Sequence, residues 1–232
     1  MGRPSDWDGI RDGLHRVVSA VDSEAIAITP ATDWATSLQQ LASQISEGST
    51  LVGYSMGARI ALGLAVAYPQ QFNGLVFISG NPGLESENAR LERWQADQQL
   101  ATRIEGLESV ASRQQFLEAW YQQGVFASVP ENVRVEEIHR KLNSEFEMWA
   151  GILRTYSVGQ QPSYWPDLGG VSGPVCVVSG EEDEKYRQIA VRIGEKNAGV
   201  VVQLVPDCGH IVHRERPDTL IELIADFVAT LP

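Results

Sequence analysis

A serine in a tight turn is the first feature of this sequence that indicates chemistry. The stretch Gly53-Tyr54-Ser55-Met56-Gly57 fits the pattern G-x-S-x-G, with an apolar run before it and a long apolar run after it. In a strand–turn–helix of this kind, the turn raises the serine Oγ above the sheet edge, and the N–H of Met56 points toward developing oxyanion charge. A side chain in place of either glycine is expected to collide with neighbouring backbone. The context therefore predicts Ser55 as a catalytic residue, with an ordinary strand-to-helix turn as the alternative.

A catalytic serine needs a base, and the base needs an acid that orients it. In the segment PDCGHIVHRERP, His210 comes first after a strand-like run, and His213 is its main rival. The other two histidines lie in helical patterns. For the acid, SGEEDEKY offers four carboxylates just beyond another strand end. Position after the strand favours Asp183, and spacing alone leaves Glu182 open.

An arginine one helical turn beyond the serine indicates an anionic substrate. Arg59 is four residues after Ser55, so both side chains share a helix face. The residues that follow, 60–67, are almost wholly apolar, which favours a cleft around this lone charge over an exposed arginine on a core helix. A guanidinium binds carboxylates bidentately. In a chain of net charge −12, whose overall field repels anions, such local positive charge is informative.

Short apolar runs alternate with helical patterns, and these elements must position the site. The runs are continuous rather than alternating, which favours parallel strands covered on both faces. The predicted strands are AIAIT (25–29), TLVGY (50–54), GLVFIS (74–79), PVCVVS (174–179) and VVVQLV (200–205). The predicted helices cover about 34–46, 57–68, 184–197 and 217–230. This order predicts a parallel, doubly wound α/β fold with the site at the carboxyl ends of the strands.

The middle of the chain breaks this alternation. From Pro82 to about Gln160 there is no strand pattern, but polar helical stretches with interspersed aromatic residues. An insertion at this point lies over the carboxyl ends of the strands, where such sheets bind ligands. We therefore expect a helical lid over residues 82–160, inserted into an α/β core formed by residues 1–81 and 161–232.

Composition and charge exclude several classes of protein. The 232 residues, 43% hydrophobic and 21% charged, suit one globular domain, and the acidic balance argues against nucleic acid. Cys176 and Cys208 lack CxxC or zinc spacing, so we expect buried free thiols and no metal site. No secretory signal and no apolar run of ~20 residues is present, which predicts a cytoplasmic location without membrane insertion. The oligomeric state stays open.

Longer segments carry a resemblance to one enzyme family. They are GYSMGARIAL, GNPGLESENARLERWQADQQLA, FLEAWYQQGVFAS, LRTYSVGQQPSYW, SGEEDEKY and CGHIVHRERP, and they cover most of the chain from about residue 51 onward. The chain resembles the 2-succinyl-6-hydroxy-2,4-cyclohexadiene-1-carboxylate (SHCHC) synthases, or MenH family, which are α/β-hydrolase-fold enzymes of menaquinone and phylloquinone biosynthesis. Its lid segments are more specific than the serine motif, because generic esterases of this fold lack them.

The resemblance implies a lyase. The family eliminates pyruvate from 2-succinyl-5-enolpyruvyl-6-hydroxy-3-cyclohexene-1-carboxylate, a small polycarboxylate, without a cofactor, and the serine acts as a base on an acidic C–H. Carried over by position, the triad is Ser55, Asp183 and His210. The substrate-binding residues are Tyr54, Arg59, Arg93 and Trp120, with Lys141 where the family commonly carries another lid arginine.

Alternatives to these assignments stay open. Arg93 could be a solvated helix charge and Trp120 lid core, and Lys141 keeps the charge of an arginine but loses its planar fork. A serine esterase or C–C bond hydrolase of the same fold is the competing function.

The first residues depart from the family. MGRPSDWDGI resembles the end of an HGFxGxxxDW turn whose His-Gly-Phe part supplies the second oxyanion N–H in this fold, and AITPATDW replaces a PGHG-type loop. We expect a start codon assigned too late, with Met1 internal to a longer natural chain. An artificially shortened chain and a truly short, impaired protein are the alternatives.

Overall fold

One parallel sheet organises the protein. The computed structural model describes residues 2–18 and 21–231, so Met1 and the prediction attached to it lie outside the described residues. Within these ranges the sheet has four strands in the order β1 (Ser49–Tyr54), β2 (Phe72–Ile78), β3 (Val175–Gly180) and β4 (Val200–Val205). In the register, Tyr54 pairs with Ile78 and Gly180 with Val205, so the carboxyl ends of the strands lie along one edge.

Helices connect the strands and cover the sheet. They are α1 (Asp8–Val17), α2 (Trp34–Ala42), α3 (Met56–Ala67), α4 (Glu87–Glu105), α5 (Val110–Tyr121), α6 (Glu131–Lys141), α7 (Phe146–Thr155), α8 (Glu184–Lys196), α9 (Val212–Glu215) and α10 (Pro217–Ala229). Short 3-10 helices lie at Pro4–Trp7, Gly124–Phe126 and Leu168–Gly170. None of the described helices is long and apolar enough to span a bilayer.

The two faces of the sheet pack against different helices. Leu75 and Phe77 lie in a core with α2, α3 and α8, whereas Val76 and Ile78 lie in a second core with α1 and α10. Alternate residues of one strand thus enter opposite cores, which explains why the strands are apolar without alternation. The predicted doubly wound α/β fold is confirmed.

One predicted strand is wrong. Residues 25–29 have no regular secondary structure, although Ile26 and Ile28 pack against the first core. The backbone here bonds to the lid: Tyr156 donates its hydroxyl to the carbonyl of Thr29, and the Thr155 hydroxyl bonds the backbone of Ala31. An apolar pattern forms a strand only where a neighbouring strand offers a ladder.

Helices fill the chain between β2 and β3. Residues 79–174 are all described, and they contain helices and turns but no strand, in agreement with their sequence pattern. Helices α4, α5 and α7 share an apolar cluster around Ile104, Leu117 and Ala150. A smaller cluster joins Phe126 and Ile211, which connects this region to the loop that carries His210. The division into core and lid stays a proposal, and these contacts support it.

Both cysteines are buried free thiols, as predicted. Burial raises the pKa of Cys176 to about 11 and is the main cause that raises the pKa of Cys208 to about 12. Neither thiol is therefore an activated nucleophile at neutral pH.

Candidate active site

Ser55 lies in a strained turn between β1 and α3. Its φ of 52° and ψ of −107° fall in a region that side chains rarely adopt. The N–H of Ser55 donates to the carbonyl of Ile78 at 2.8 Å, which ties the turn to the end of β2. A Cβ on Gly53 would lie 2.4 Å from the carbonyl oxygen of Gly57, so glycine is required there. A Cβ on Gly57 would meet no atom within 4 Å outside its own helix, so the collision expected at this position is wrong.

Ser55, His210 and Asp183 form a connected chain of polar atoms. Asp183 Oδ2 lies 2.6 Å from His210 Nδ1, and Ser55 Oγ lies 3.4 Å from His210 Nε2. The short contact with a carboxylate places the proton on Nδ1, which leaves Nε2 free to accept from the serine. The serine–histidine distance is at the long end, which is common in unliganded sites. The histidine and the aspartate are buried, and Ser55 is half-buried.

Close backbone packing brings the acid to the histidine. β3 ends at Gly180, where a Cβ would lie 2.2 Å from the carbonyl oxygens of Cys208 and Gly209. The N–H of Glu182 donates to the carbonyl of Cys208 at 3.0 Å, which holds the two loops together. Glu182 itself points to solvent, whereas Asp183 is buried against His210. The structure therefore places Asp183, and not Glu182, in contact with His210.

Aromatic rings hold the His210 imidazole on three sides. Tyr186, Tyr54 and Phe126 have ring centroids 4.7, 5.2 and 5.7 Å away. The rival His213 lies 4.6 Å from the Tyr54 ring and stacks on Trp7 at 5.4 Å. Burial lowers the pKa of His213 to about 4, so this ring is neutral at pH 7. His213 thus packs beside the site and makes no hydrogen bond to the serine.

The N-terminus of α3 adjoins the serine. Met56 is the first residue of this helix, so its N–H has no acceptor within the helix. The positive end of the helix dipole lies at the same place. A negative oxygen formed next to Ser55 would therefore meet a donor and a favourable field.

Arg59 is held rigidly one helical turn from Ser55. Its guanidinium donates to Gln161 Oε1 at 2.9 Å and to the carbonyl of Tyr156 at 2.7 Å, and it lies 5.9 Å from the Trp34 ring. Burial lowers the pKa of Arg59 to about 10, and the positive charge of Arg93 also contributes. Arg59 remains charged at neutral pH, and the two arginines are close enough to interact.

Arg93 extends this positive region from α4. Its Nε donates to Asp97 Oδ1 at 2.9 Å, and Asp97 Oδ2 accepts from Ser157 Oγ at 2.7 Å. The side chain of Arg93 is 47% exposed, so the rest of its guanidinium can reach a ligand.

Sequence reasoning missed two residues at the start of α8. Lys185 is exposed, but partial desolvation and the charge of Arg93 lower its pKa. The pKa of Tyr186 is raised by burial against the opposing effect of Arg59 and Arg93. Lys185 Nζ lies 5.3 Å from the centroid of the Tyr186 ring, and that ring packs on His210 with centroids 4.7 Å apart. The position of Lys185 and Tyr186 just after Asp183 was the only sequence signal for these two residues. It was missed because the surrounding acidic run is typical of a solvent-exposed turn.

Trp120 and Lys141 have structural partners. Trp120 is half-buried, stacks on Phe116 with centroids 6.0 Å apart, and packs against both lid clusters. Lys141 is buried, and its Nζ lies 2.6 Å from Glu137 and 3.7 Å from Asp6. Lys141 thus pairs with two carboxylates that Arg140 and Arg214 also contact, and its substrate contact stays a prediction.

Comparison with known proteins identifies the family of this chain. The "Alpha/beta hydrolase family" matches residues 2–223. "Protein PHYLLO, chloroplastic" of Arabidopsis thaliana is 35% identical over 207 residues, which are 84% of this chain and 12% of that protein. A putative SHCHC synthase of Bacillus subtilis (strain 168) is 31% identical over 186 residues, which are 78% of this chain and 66% of that protein. The chain thus spans less than two thirds of either relative.

A solved structure shows the same fold. "Structure of MenH from S. aureus" superposes with a TM-score of 0.80 at 24% identity, over 94% of this chain and 89% of the other.

Proposed function

This chain belongs to the α/β-hydrolase family, and from that premise we propose that it is a pyruvate-eliminating lyase of menaquinone or phylloquinone biosynthesis. The proposed reaction converts 2-succinyl-5-enolpyruvyl-6-hydroxy-3-cyclohexene-1-carboxylate to SHCHC. The similarity to an SHCHC synthase supports the reaction, and the residues around Ser55 support it independently.

The positive region beside the triad is the observation that carries this proposal. Arg59 and Arg93 influence the pKa of Tyr186, Lys185 adjoins Arg93, and the Tyr186 ring packs on the buried His210, in a chain of net charge −12. Each carboxylate of the substrate gains from a guanidinium or ammonium partner. An esterase for neutral acyl groups has no use for three cations at this place.

The triad geometry suits proton removal from carbon. His210 Nε2 accepts the proton of Ser55 Oγ, and the serine oxygen takes the acidic C–H proton of the substrate. The electron pair of that C–H bond, on ring carbon C2, forms a C2=C3 double bond. The existing C3=C4 double bond shifts to C4=C5, and the C5–O bond to the enolpyruvyl group breaks. Pyruvate leaves as its enolate and takes up a proton. Asp183 stabilises the imidazolium of His210, and the N–H of Met56 stabilises negative charge on a substrate oxygen.

A substrate-preference assay tests this proposal. We expect the purified chain to form the diene and release pyruvate from the tricarboxylate, with a kcat/KM at least ~100-fold above that for p-nitrophenyl acetate, because only the tricarboxylate engages the cations. A higher kcat/KM for the ester would contradict the lyase and favour the esterase.

A further inference from the structure

Glu215 is a buried carboxylate that the triad does not include. It ends the short helix α9 and is 9% exposed. Its Oε2 accepts the N–H of Gly209 at 2.8 Å, and its Oε1 accepts the N–H of Ile211 at 2.8 Å. These two peptide groups flank His210. One carboxylate therefore holds the backbone on both sides of the residue that carries the imidazole.

The loop is shaped for this contact. A Cβ on Gly209 would lie 2.6 Å from Ser128 Oγ and 3.2 Å from each carboxylate oxygen of Glu215, so a side chain at this position has no room. The two donors bind one oxygen each, an arrangement that fits the ionised carboxylate, since a protonated acid would have one oxygen as O–H. Burial raises the pKa of Glu215, whereas the two N–H bonds and the charge of His210 oppose that rise.

Given the role of His210 in the proposed function, on which this inference rests, we propose that Glu215 is a positioning residue for the reaction. Its carboxylate fixes the backbone on either side of His210. It also adds a second buried negative charge that favours the imidazolium formed when His210 accepts a proton.

Few charged groups lie near the His210 imidazole and affect its protonation. The polar groups that face it are Asp183 from the β3–α8 loop, Ser55 and Tyr54 from the β1–α3 turn, Tyr186 from α8 and Glu215 from α9. Both tyrosines have a pKa raised by burial and stay neutral at pH 7. The titratable His210 and Cys208 and the charged Arg216 lie near Glu215, and Arg216 Nη1 also donates to the Glu215 carbonyl. Among the described residues that face the imidazole, Asp183 and Glu215 are therefore the charged ones.

Titration of His210 in Glu215 variants tests the proposal. Glu215→Gln is expected to lower the His210 pKa by about one unit, measured by NMR on labelled histidine and assigned with His210→Asn, because a nearby negative charge is lost. The kcat for pyruvate release is expected to fall ~10- to ~100-fold with KM within about twofold, because the ring is no longer held in place. The acid limb of the kcat profile moves to lower pH with the His210 pKa.

Two further variants separate charge from packing. Glu215→Asp keeps the charge but loses reach, so the His210 pKa should stay within about 0.3 units of wild type while kcat falls ~3- to ~10-fold. Glu222→Gln, an exposed carboxylate on α10, is the matched control and should change neither quantity. An unchanged His210 pKa in folded Glu215→Gln would overturn the proposal, as would a wild-type kcat in Glu215→Asp.

The titration also separates this inference from the proposed function. It needs no substrate, so a wild-type protein that releases no pyruvate would refute the lyase while the His210 pKa values still decide the role of Glu215. If Glu215→Gln does not fold, the kcat of Glu215→Asp decides: a ~3- to ~10-fold fall supports the proposal, and a wild-type kcat overturns it.

Discussion

Replacing Arg59 with glutamine removes a positive charge one helical turn from Ser55. Gln161 and Tyr156 each take one donor of its guanidinium, so three of the five N–H donors of an arginine remain for a substrate carboxylate. Loss of one partner of such a partly buried pair costs about 2–4 kcal/mol. We therefore expect kcat/KM for the tricarboxylate to fall about 30- to 700-fold, mainly through KM.

Steady-state kinetics of diene formation measures this effect. Arg59→Lys keeps the charge but loses the fork, and should fall about 10-fold in kcat/KM. Hydrolysis of p-nitrophenyl acetate, a neutral ester, should stay within about threefold of wild type in both variants, because no carboxylate is bound. Arg16→Gln on α1, an exposed arginine, is the matched control and should leave KM unchanged. An Arg59→Gln protein with kcat/KM within about threefold of wild type would refute the assignment of Arg59 to the substrate.

Three other predictions concern stability. Gly53→Ala should lower the free energy of unfolding by about 3 kcal/mol or more in chemical denaturation, because its Cβ would lie 2.4 Å from the Gly57 carbonyl oxygen. Gly57→Ala, whose Cβ would enter open space, should lower it by under about 1 kcal/mol. Equal losses would contradict the turn geometry. The pKa of His213 is about 4 in the folded protein and 6.5 in the unfolded chain, so the unfolded chain binds more protons between pH 4 and 6.5. Up to about 3 kcal/mol of stability that is present above pH 6.5 is therefore lost as the pH falls to 4. In His213→Phe, the part of this pH-dependent loss that comes from His213 should disappear from the free energy of unfolding measured with urea. An unchanged pH dependence would exclude His213 as its cause. Lys141→Met should cost about 2 kcal/mol, because Glu137 and Asp6 lose one buried partner but keep Arg140 and Arg214, and KM should stay within about twofold of wild type. Arg134→Met, whose partner Glu131 is exposed, should cost under about 1 kcal/mol. A large rise in KM for Lys141→Met would place this lysine at the substrate.

The proximity of Ser55, Asp183 and His210 could be predicted because each follows a strand of one parallel sheet. Carboxyl ends of parallel strands meet at the same edge, so three residues far apart in sequence come together without further information. The two candidates Asp183 and Glu182 differ only in which side chain turns inward. Which of them turns inward depends on how Gly180 packs against the loop that carries His210. The sequence pattern does not indicate this packing.

The wrong predictions share a physical cause. The run 25–29 has the composition of a strand, but strand formation depends on a ladder partner elsewhere in the chain. Gly57 fits a motif, but whether its missing Cβ matters depends on what lies above the turn, and the described residues leave that space open. Local sequence carries neither fact.

The missed residues lie where the sequence suggests solvent. Lys185 follows an acidic run, and only the fold places it near Arg93. Glu215 accepts hydrogen bonds from backbone N–H groups. Every residue except proline has such a group, so no residue type in the sequence marks the partners of Glu215. The charged segment HRERP predicts an exposed carboxylate, whereas in the structure the loop folds around Glu215 and buries it.

The rate of pyruvate release from the tricarboxylate by wild type and Ser55→Ala is the most direct test of the proposed reaction. Ser55 Oγ is the atom next to His210 Nε2, and no described side chain replaces it in the alanine variant. We predict measurable release by wild type and a fall of at least ~1000-fold in kcat for Ser55→Ala, with the fold retained. Release by Ser55→Ala at a rate close to that of wild type would contradict the role of the serine as the base.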